Sequence, residues 1–212
     1  MSSFLSKVFE FISPSYVACY LCAEESVPGA DNLCDRCRNE LMLCIAPPPA
    51  PYLDGCAAGL VYTDPVRRAM HRFKYHDRRE YADFFAQYMA VPVEWEVDII
   101  APVPLHYLKE LFRTYNQSET LAKRISAAYK LPYCRDLIER VRYTGSQTHR
   151  SPKERAKNVR GAFKAAPEVK GLSVLLIDDV FTTGATLSAC AKALKSAGAL
   201  RVYSLCACRA ES

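Results

Sequence analysis

The stretch Val174-Leu175-Leu176-Ile177-Asp178-Asp179-Val180-Phe181-Thr182-Thr183-Gly184-Ala185-Thr186 decides the fold class. Its first four residues are a continuous apolar run, which suits a strand covered on both faces. Two carboxylates, Asp178 and Asp179, then stand at the carboxyl end of that strand, a poor place for core residues. Hydroxyls and a glycine follow at the start of a helix. Free backbone N–H groups, hydroxyl donors and the helix dipole all favour a phosphate there. Gly184 lets backbone approach a ligand closely. The carboxylates suit a partner with hydroxyls, or a hydrated magnesium ion. A ribose whose 5-phosphate sits in the loop needs both features at once. The bland alternative is a capped helix with acids near its N-terminus. Neither G-x-x-x-x-G-K-[ST] nor G-x-G-x-x-G occurs, so nothing in the sequence supports a P-loop or a dinucleotide site.

Working outward, a helix is expected from about 185 to 197, with Leu187, Cys190, Ala191 and Leu194 on one face and Gly198 closing it. Residues 202–207 read as a last strand. Earlier strands are expected at 57–62 and 97–101, the second stopped by Pro102-Val103-Pro104. Residues 117–129 carry a helical pattern in Leu121, Ile125, Ala128 and Tyr129. Strand, helix, strand implies a parallel crossover. The class is α/β, a parallel sheet flanked by helices, with a ligand at the carboxyl ends of the strands.

The 212 residues suffice for one domain of about 160 residues plus a small module. Half of them are hydrophobic and 24% charged, which excludes a disordered, collagenous or coiled-coil chain. No apolar run approaches the roughly 20 residues of a membrane helix. The first residues lack the pattern of a secretory signal. The expected location is the cytoplasm. Net charge is 28 − 23 = +5, and it is uneven. Residues 1–60 hold three basic residues against seven acids, whereas the rest holds 25 against 16. A basic larger part suits phosphate-bearing partners.

Of ten cysteines, four are spaced as Cys19-x-x-Cys22 and Cys34-x-x-Cys37. Each pair puts two thiolates on one side of a tight turn, half of a tetrahedral zinc site, with Leu21 and Leu33 placed to pack beneath it. A disulfide framework is the alternative, and a cytoplasmic setting argues against it. Cys44 reads as a spare, while Cys56, Cys134, Cys190, Cys206 and Cys208 read as small buried hydrophobes. Before the pairs, Phe4, Leu5, Val8, Phe9, Phe11 and Ile12 recur at helical spacing. After them, Ala46-Pro47-Pro48-Pro49-Ala50-Pro51 reads as an extended connector. The boundary falls there, giving a zinc module with its linker at 1–50 and a larger domain at 51–212.

The 174–186 stretch resembles the phosphoribosyl pyrophosphate (PRPP) loop of type I phosphoribosyltransferases. Ala101-Pro102-Val103-Pro104-Leu105-His106, followed by Arg113-Thr114-Tyr115-Asn116-Gln117-Ser118, is similar to the paired motifs of the ComF/ComFC family. Gln147, Arg155, Asn158, Val159 and Ala162-Phe163 match that family's next stretch, and the four-cysteine module is typical of it. Thr114-Tyr115 replaces the usual Gly-Phe. The resemblance implies a type I phosphoribosyltransferase fold. It places Asp178 and Asp179 against the ribose hydroxyls and, through water, magnesium. Thr182, Thr183, Gly184, Ala185 and Thr186 would hold the 5-phosphate. Val103, Pro104, Leu105 and His106 would face the pyrophosphate, and Lys74 would reach it. Residues of about 142–157 would close over PRPP, with Gln147, His149, Arg150 and Arg155 making polar contacts.

Residues 66–80 hold six Lys/Arg and two His against Asp77 and Glu80, with Phe73 and Tyr75 interleaved. That is the composition of a single-strand binding surface. It equally fits an amphipathic helix with a solvated basic face and buried Met70 and Phe73. Residues 135–164 hold nine Lys/Arg against three acids. The family resemblance implies a PRPP-binding protein that handles single-stranded DNA in natural transformation. DNA-uptake proteins are the implied partners, and association with the inner face of the membrane is open. An active phosphoribosyltransferase acting on a nitrogen acceptor is the alternative, and a PRPP-sensing regulator is a third reading.

Overall fold

The computed structural model describes residues 17–26, 31–75, 78–105, 115–142 and 158–210. The helix expected over 4–12 lies outside them, as do His106 and the closing-loop residues Gln147, His149, Arg150 and Arg155. The chain opens on a small hairpin, β1 (Val17–Ala18) against β2 (Glu25–Ser26), then a short helix, α1 (Asp35–Asn39). Strand β3 (Gly55–Val61) leads to α2 (Asp64–Tyr75) and α3 (Tyr81–Ala86). Next come β4 (Ile99–Pro102) and α4 (Gln117–Tyr129). A three-residue pair, β5 (Ile138–Arg140) and β6 (Phe163–Ala165), follows. The chain closes with β7 (Ser173–Phe181), α5 (Ala185–Ser196) and β8 (Arg201–Arg209).

The main sheet has the order β3-β8-β7-β4, and every neighbouring pair is parallel. Its central strand β7 is buried on both sides because its apolar run is continuous rather than alternating. Leu175 and Ile177 face a core with Phe73, Phe85, Leu121 and Ile125. Val174 and Leu176 face a second core with Leu187, Cys190, Leu194 and Phe163. Helices α2, α3 and α4 therefore cover one face, and α5 with the β5–β6 pair covers the other.

Strand β7 runs further than the sequence indicates. The apolar run stops at Ile177, but β8 is nine residues long and keeps pairing, through Asp178 with Cys206 and Phe181 with Arg209. The two carboxylates thus sit inside the second half of the strand, held by its ladder.

The Cys-rich hairpin shares the core of the main sheet. Leu21 and Leu33 are fully buried and join the cluster of Phe73, Phe84 and Tyr81. Arg72 of α2 fastens it: Nη2 donates to the carbonyls of Tyr20 at 2.7 Å and Leu21 at 2.8 Å, and Nε donates to the Tyr81 hydroxyl at 2.8 Å. Arg72→Ala strips donors from all three acceptors. It is expected to cost about 2–4 kcal/mol in chemical denaturation, with Arg72→Lys recovering part of that. A loss no larger than an exposed surface arginine gives would remove Arg72 as the fastener. The connector is packed as well. Ala50 is buried against the 181–184 turn, and Arg209 donates to the Ala46 carbonyl at 2.7 Å.

Candidate functional site

The carboxyl ends of β7 and β4 meet at the site. Val103, just past β4, donates its N–H to the Ile177 carbonyl at 2.9 Å, which sets the 103–105 turn beside Asp178. Asn116 caps α4, its Oδ1 accepting from the Ser118 N–H at 3.0 Å, while its Nδ2 donates to the Val103 carbonyl at 3.1 Å. The Ser118 hydroxyl donates to Asp178 Oδ1 at 2.8 Å, and the Asp179 N–H donates to the same oxygen at 2.9 Å. One helix N-terminus thereby holds both the turn and the first carboxylate. Asn116, Gln117 and Ser118 are buried polar residues, and these are positions to which the sequence motif assigns no role. The consecutive Asn-Gln-Ser string before an apolar helix was the available signal.

Asp179 meets Lys74 Nζ at 2.8 Å, both side chains less than one-fifth exposed. Lys74 is thus brought beside Asp179. The last turn of α2 is held there by Tyr115, whose hydroxyl donates to the Phe73 carbonyl. The hydroxyl that a phenylalanine would lack is thereby used. Burial first, and then the Asp179 charge, push the Asp178 carboxyl up to about 7, against the bonds from Ser118 and the Asp179 N–H and the charge of Lys74.

Thr182, Thr183, Gly184, Ala185 and Thr186 line one small cleft together with Asp178, Val180 and Leu187. Gly184 caps α5 at φ +69°, and a Cβ there would stand 2.9 Å from that of Ala50 and 3.0 Å from the Phe181 ring. Only glycine fits this turn without strain. The Ala185 N–H reaches Thr183 Oγ1 at a long 3.4 Å. The first-turn N–H groups of α5 have no intrahelical acceptor, so the cleft ends in donors. A second cavity of about 200 Å³ lies between the 102–105 turn, Asn116 and β5, with Arg135 and Arg140 in its wall.

The sulfurs of Cys19, Cys22, Cys34 and Cys37 all lie within 4.8 Å of one another. A tetrahedral site with Zn–S near 2.3 Å needs sulfurs about 3.8 Å apart. Cys22 and Cys34 stand at 3.9 Å. Burial raises the Cys19 thiol, but N–H groups of Cys22, Cys34 and Leu21 outweigh it and bring it to about 7. Burial and the neighbouring thiols push Cys37 up. Four packed thiols with one ready to ionise suit a divalent soft-ligand metal, so the residues fit the ion. Cys44 is not in the cluster; its N–H donates to the Gly59 carbonyl. Cys190, Cys206 and Cys208 are buried as expected, whereas Cys56 and Cys134 are only half-buried.

A parallel sheet with an acidic strand end, a hydroxyl- and glycine-lined helix start, and a four-cysteine cluster able to hold a metal ion define a phosphoribosyltransferase-fold protein with an appended four-cysteine module. Residues 115–212 match the phosphoribosyl transferase domain family. The DNA utilization protein YhgH of Salmonella typhimurium is 31% identical over 199 residues, covering 89% of this chain and 84% of that protein. Competence protein F of Haemophilus influenzae is 31% identical over 148 residues, 65% of each chain. Among solved structures, glutamine PRPP amidotransferase from B. subtilis, complexed with ADP and GMP, aligns at a TM-score of 0.39 and 25% identity. That alignment covers 60% of this chain and a quarter of that one. The chain belongs to the ComF family.

Proposed function

We propose that this protein binds PRPP at the carboxyl ends of β7 and β4 and works in the handling of single-stranded DNA during natural transformation. The observation that carries the reading is the carboxylate pair followed two residues later by the 182–186 cradle, with Lys74 beside it. The 5-phosphate would take the N–H groups and hydroxyls of Thr182, Thr183, Gly184, Ala185 and Thr186. The ribose hydroxyls would meet Asp178 and Asp179. Magnesium bound with PRPP would supply charge neutralisation, held by the same carboxylates through water. Lys74 can turn from Asp179 to the pyrophosphate, and the turn of Val103, Pro104, Leu105 and His106 would lie along it. Gln147, His149, Arg150 and Arg155 would close over the ligand. Zinc is the metal we assign to Cys19, Cys22, Cys34 and Cys37, in a structural role, since four thiolates leave no open position. The names of the relatives, DNA utilization protein and competence protein, support the DNA role. DNA-uptake proteins would be its partners. Residues 1–50 would form the metal module and 51–212 the ligand-binding domain. Among the described residues no helix is long and apolar enough to cross a membrane. We place the protein in the cytoplasm, in peripheral contact with the membrane where DNA enters.

Calorimetry of PRPP with magnesium tests this, with pyrophosphate release followed in parallel. The expected result is saturable binding without release, weakened at least about a hundredfold by Asp178→Ala with Asp179→Ala, the loss of two charge-assisted contacts. Undiminished binding in that variant would move the ligand elsewhere. Pyrophosphate release on adding nucleobases or ammonia would instead make the protein a transferase.

A further inference from the structure

Strands β5 and β6 form an antiparallel pair of their own, apart from the main sheet. The Ala166 N–H donates to the Leu137 carbonyl at 3.0 Å, and the Val141 N–H donates to the Ala162 carbonyl at 2.9 Å. The ladder bonds therefore fall at 137 with 166, 139 with 164 and 141 with 162. Residues between such bonds turn their main-chain groups the other way in an antiparallel ladder. Phe163 and Ala165 thus present N–H and C=O away from β5. Among the described residues no backbone group bonds to them there.

That open edge faces a cavity of about 500 Å³, within the roughly 300–1,000 Å³ range of ligand pockets. Phe163, Lys164 and Ala165 line one wall, and no residue of β5 does, so the cavity lies on the outer side of β6. Helix α5 forms the opposite wall, where Ala189 and Ala193 are short and only half-buried, which leaves depth over them. A slot between a strand edge and a helix accepts an extended chain as an added strand. Arg160, Lys164 and Lys192 stand at its rim, all three exposed, and no acid lines it. Lys192 lies over the Tyr52 ring at 5.5 Å, an uncharged partner that leaves its charge in place. Glu139 is in register with Lys164 but belongs to the wall of the other cavity, beside Asn116.

We infer that the groove between β6 and α5 takes an extended acidic segment of a partner protein as a third strand. The main chain of that segment bonds to Phe163 and Ala165. Side chains alternate along a strand, so every second residue drops onto the Ala189 and Ala193 floor and is small or apolar. The acids between them meet Arg160, Lys164 and Lys192. A second copy of this chain is the poorer occupant, because edge-to-edge pairing sets one cationic rim against another. The groove begins beyond the 182–186 cradle, and nothing in it depends on PRPP.

The test is hydrogen exchange read residue by residue by NMR on the full chain, with a peptide of alternating glutamate and valine as the probe. Saturating peptide is expected to slow the amides of Phe163 and Ala165 at least about tenfold, the mark of new main-chain bonds, while Lys164, already bonded to β5, changes less. Methylating the peptide's backbone nitrogens should weaken binding about tenfold, the loss of two hydrogen bonds. Lysine in place of glutamate should weaken it by about tenfold or more, through like charge at the rim. Arg160→Glu with Lys192→Glu should do the same to the glutamate peptide, and Ala193→Phe should remove binding by filling the floor. Thermal melting checks that each variant is folded, and the exposed rim pair keeps the test decisive if Ala193→Phe is not. A glutamate peptide that fails to bind at low salt overturns the inference. Equal binding of the methylated peptide overturns it too, since charge alone would then hold the chain. Oligothymidylate that protects the same two amides as well as the peptide does would make the groove a polynucleotide site. A dimer whose formation protects them would make it a self-association surface, and either result also overturns the inference.

Discussion

Loss of the metal from the four-cysteine cluster is expected to lower the melting temperature of the whole protein by about 10 °C or more. The reason is the shared core. Leu21 and Leu33 pack with Phe73, Phe84 and Tyr81, and Arg72 binds two carbonyls of the first Cys-x-x-Cys turn. Without the ion, four thiols are left crowded within 4.8 Å of one another, and nothing fixes the turns that present the two leucines. Loosening two buried leucines costs about 3–5 kcal/mol even if their cavities partly collapse. For a chain of this size each kcal/mol moves the midpoint by about 2–4 °C. Cys37→Ser should show the effect together with loss of one zinc per chain by elemental analysis. Because the two parts share a core, the unfolding should stay a single transition. Two separate transitions, with the later one unmoved by Cys37→Ser, would show a module that folds on its own. Unchanged melting with no metal in the wild type would make the cluster a set of plain buried thiols.

The sequence reveals the parts of this fold that carry their signal locally. The run at Val174–Ile177 has no polar residue, so only a doubly covered strand suits it, and β7 is that strand. The 117–129 pattern matches α4 at both ends because Asn116 caps it and Lys130 ends it in the left-handed region. The paired Cys-x-x-Cys turns announce their cluster by spacing alone. What stays hidden depends on distant partners. Strands β5 and β6 have three residues each and pair across more than twenty residues of chain, too short for any periodicity. The extension of β7 through Asp178 and Asp179 follows from the length of β8 rather than from its own residues. Ser118 is recognisable as a residue near a helix start, but its bond to Asp178 crosses sixty positions. The 46–51 prolines read as a spacer, yet Ala50 closes on Gly184, a contact that composition cannot show.

Asp178→Asn should make the ligand-free protein more stable at pH 8 while weakening the proposed binding of PRPP. Burial and the neighbouring Asp179 charge raise the Asp178 carboxyl from the ordinary 3.8 to about 7. A carboxyl raised on folding contributes fully below the unfolded value and loses that contribution as the pH climbs from about 4 toward 7. At about 1.36 kcal/mol per pH unit the whole gap is about 4 kcal/mol. The carboxyl keeps some solvent contact, and screening reduces the gain open to a neutral replacement to about 2 kcal/mol. The asparagine keeps an oxygen for the Ser118 hydroxyl and the Asp179 N–H, so the hydrogen bonds at Oδ1 need not be lost. Denaturation of wild type and variant across pH 4 to 8 is the measurement, with the gap between them opening as pH rises. Two like charges held side by side, with Lys74 directly paired to only one of them, would then be a strain kept for the ligand. A cationic or hydroxyl-rich ligand offsets that strain on binding, which is how a site can cost stability and still be maintained. A variant equally destabilised at pH 4 and pH 8 would mean instead that the carboxylate is needed for the fold.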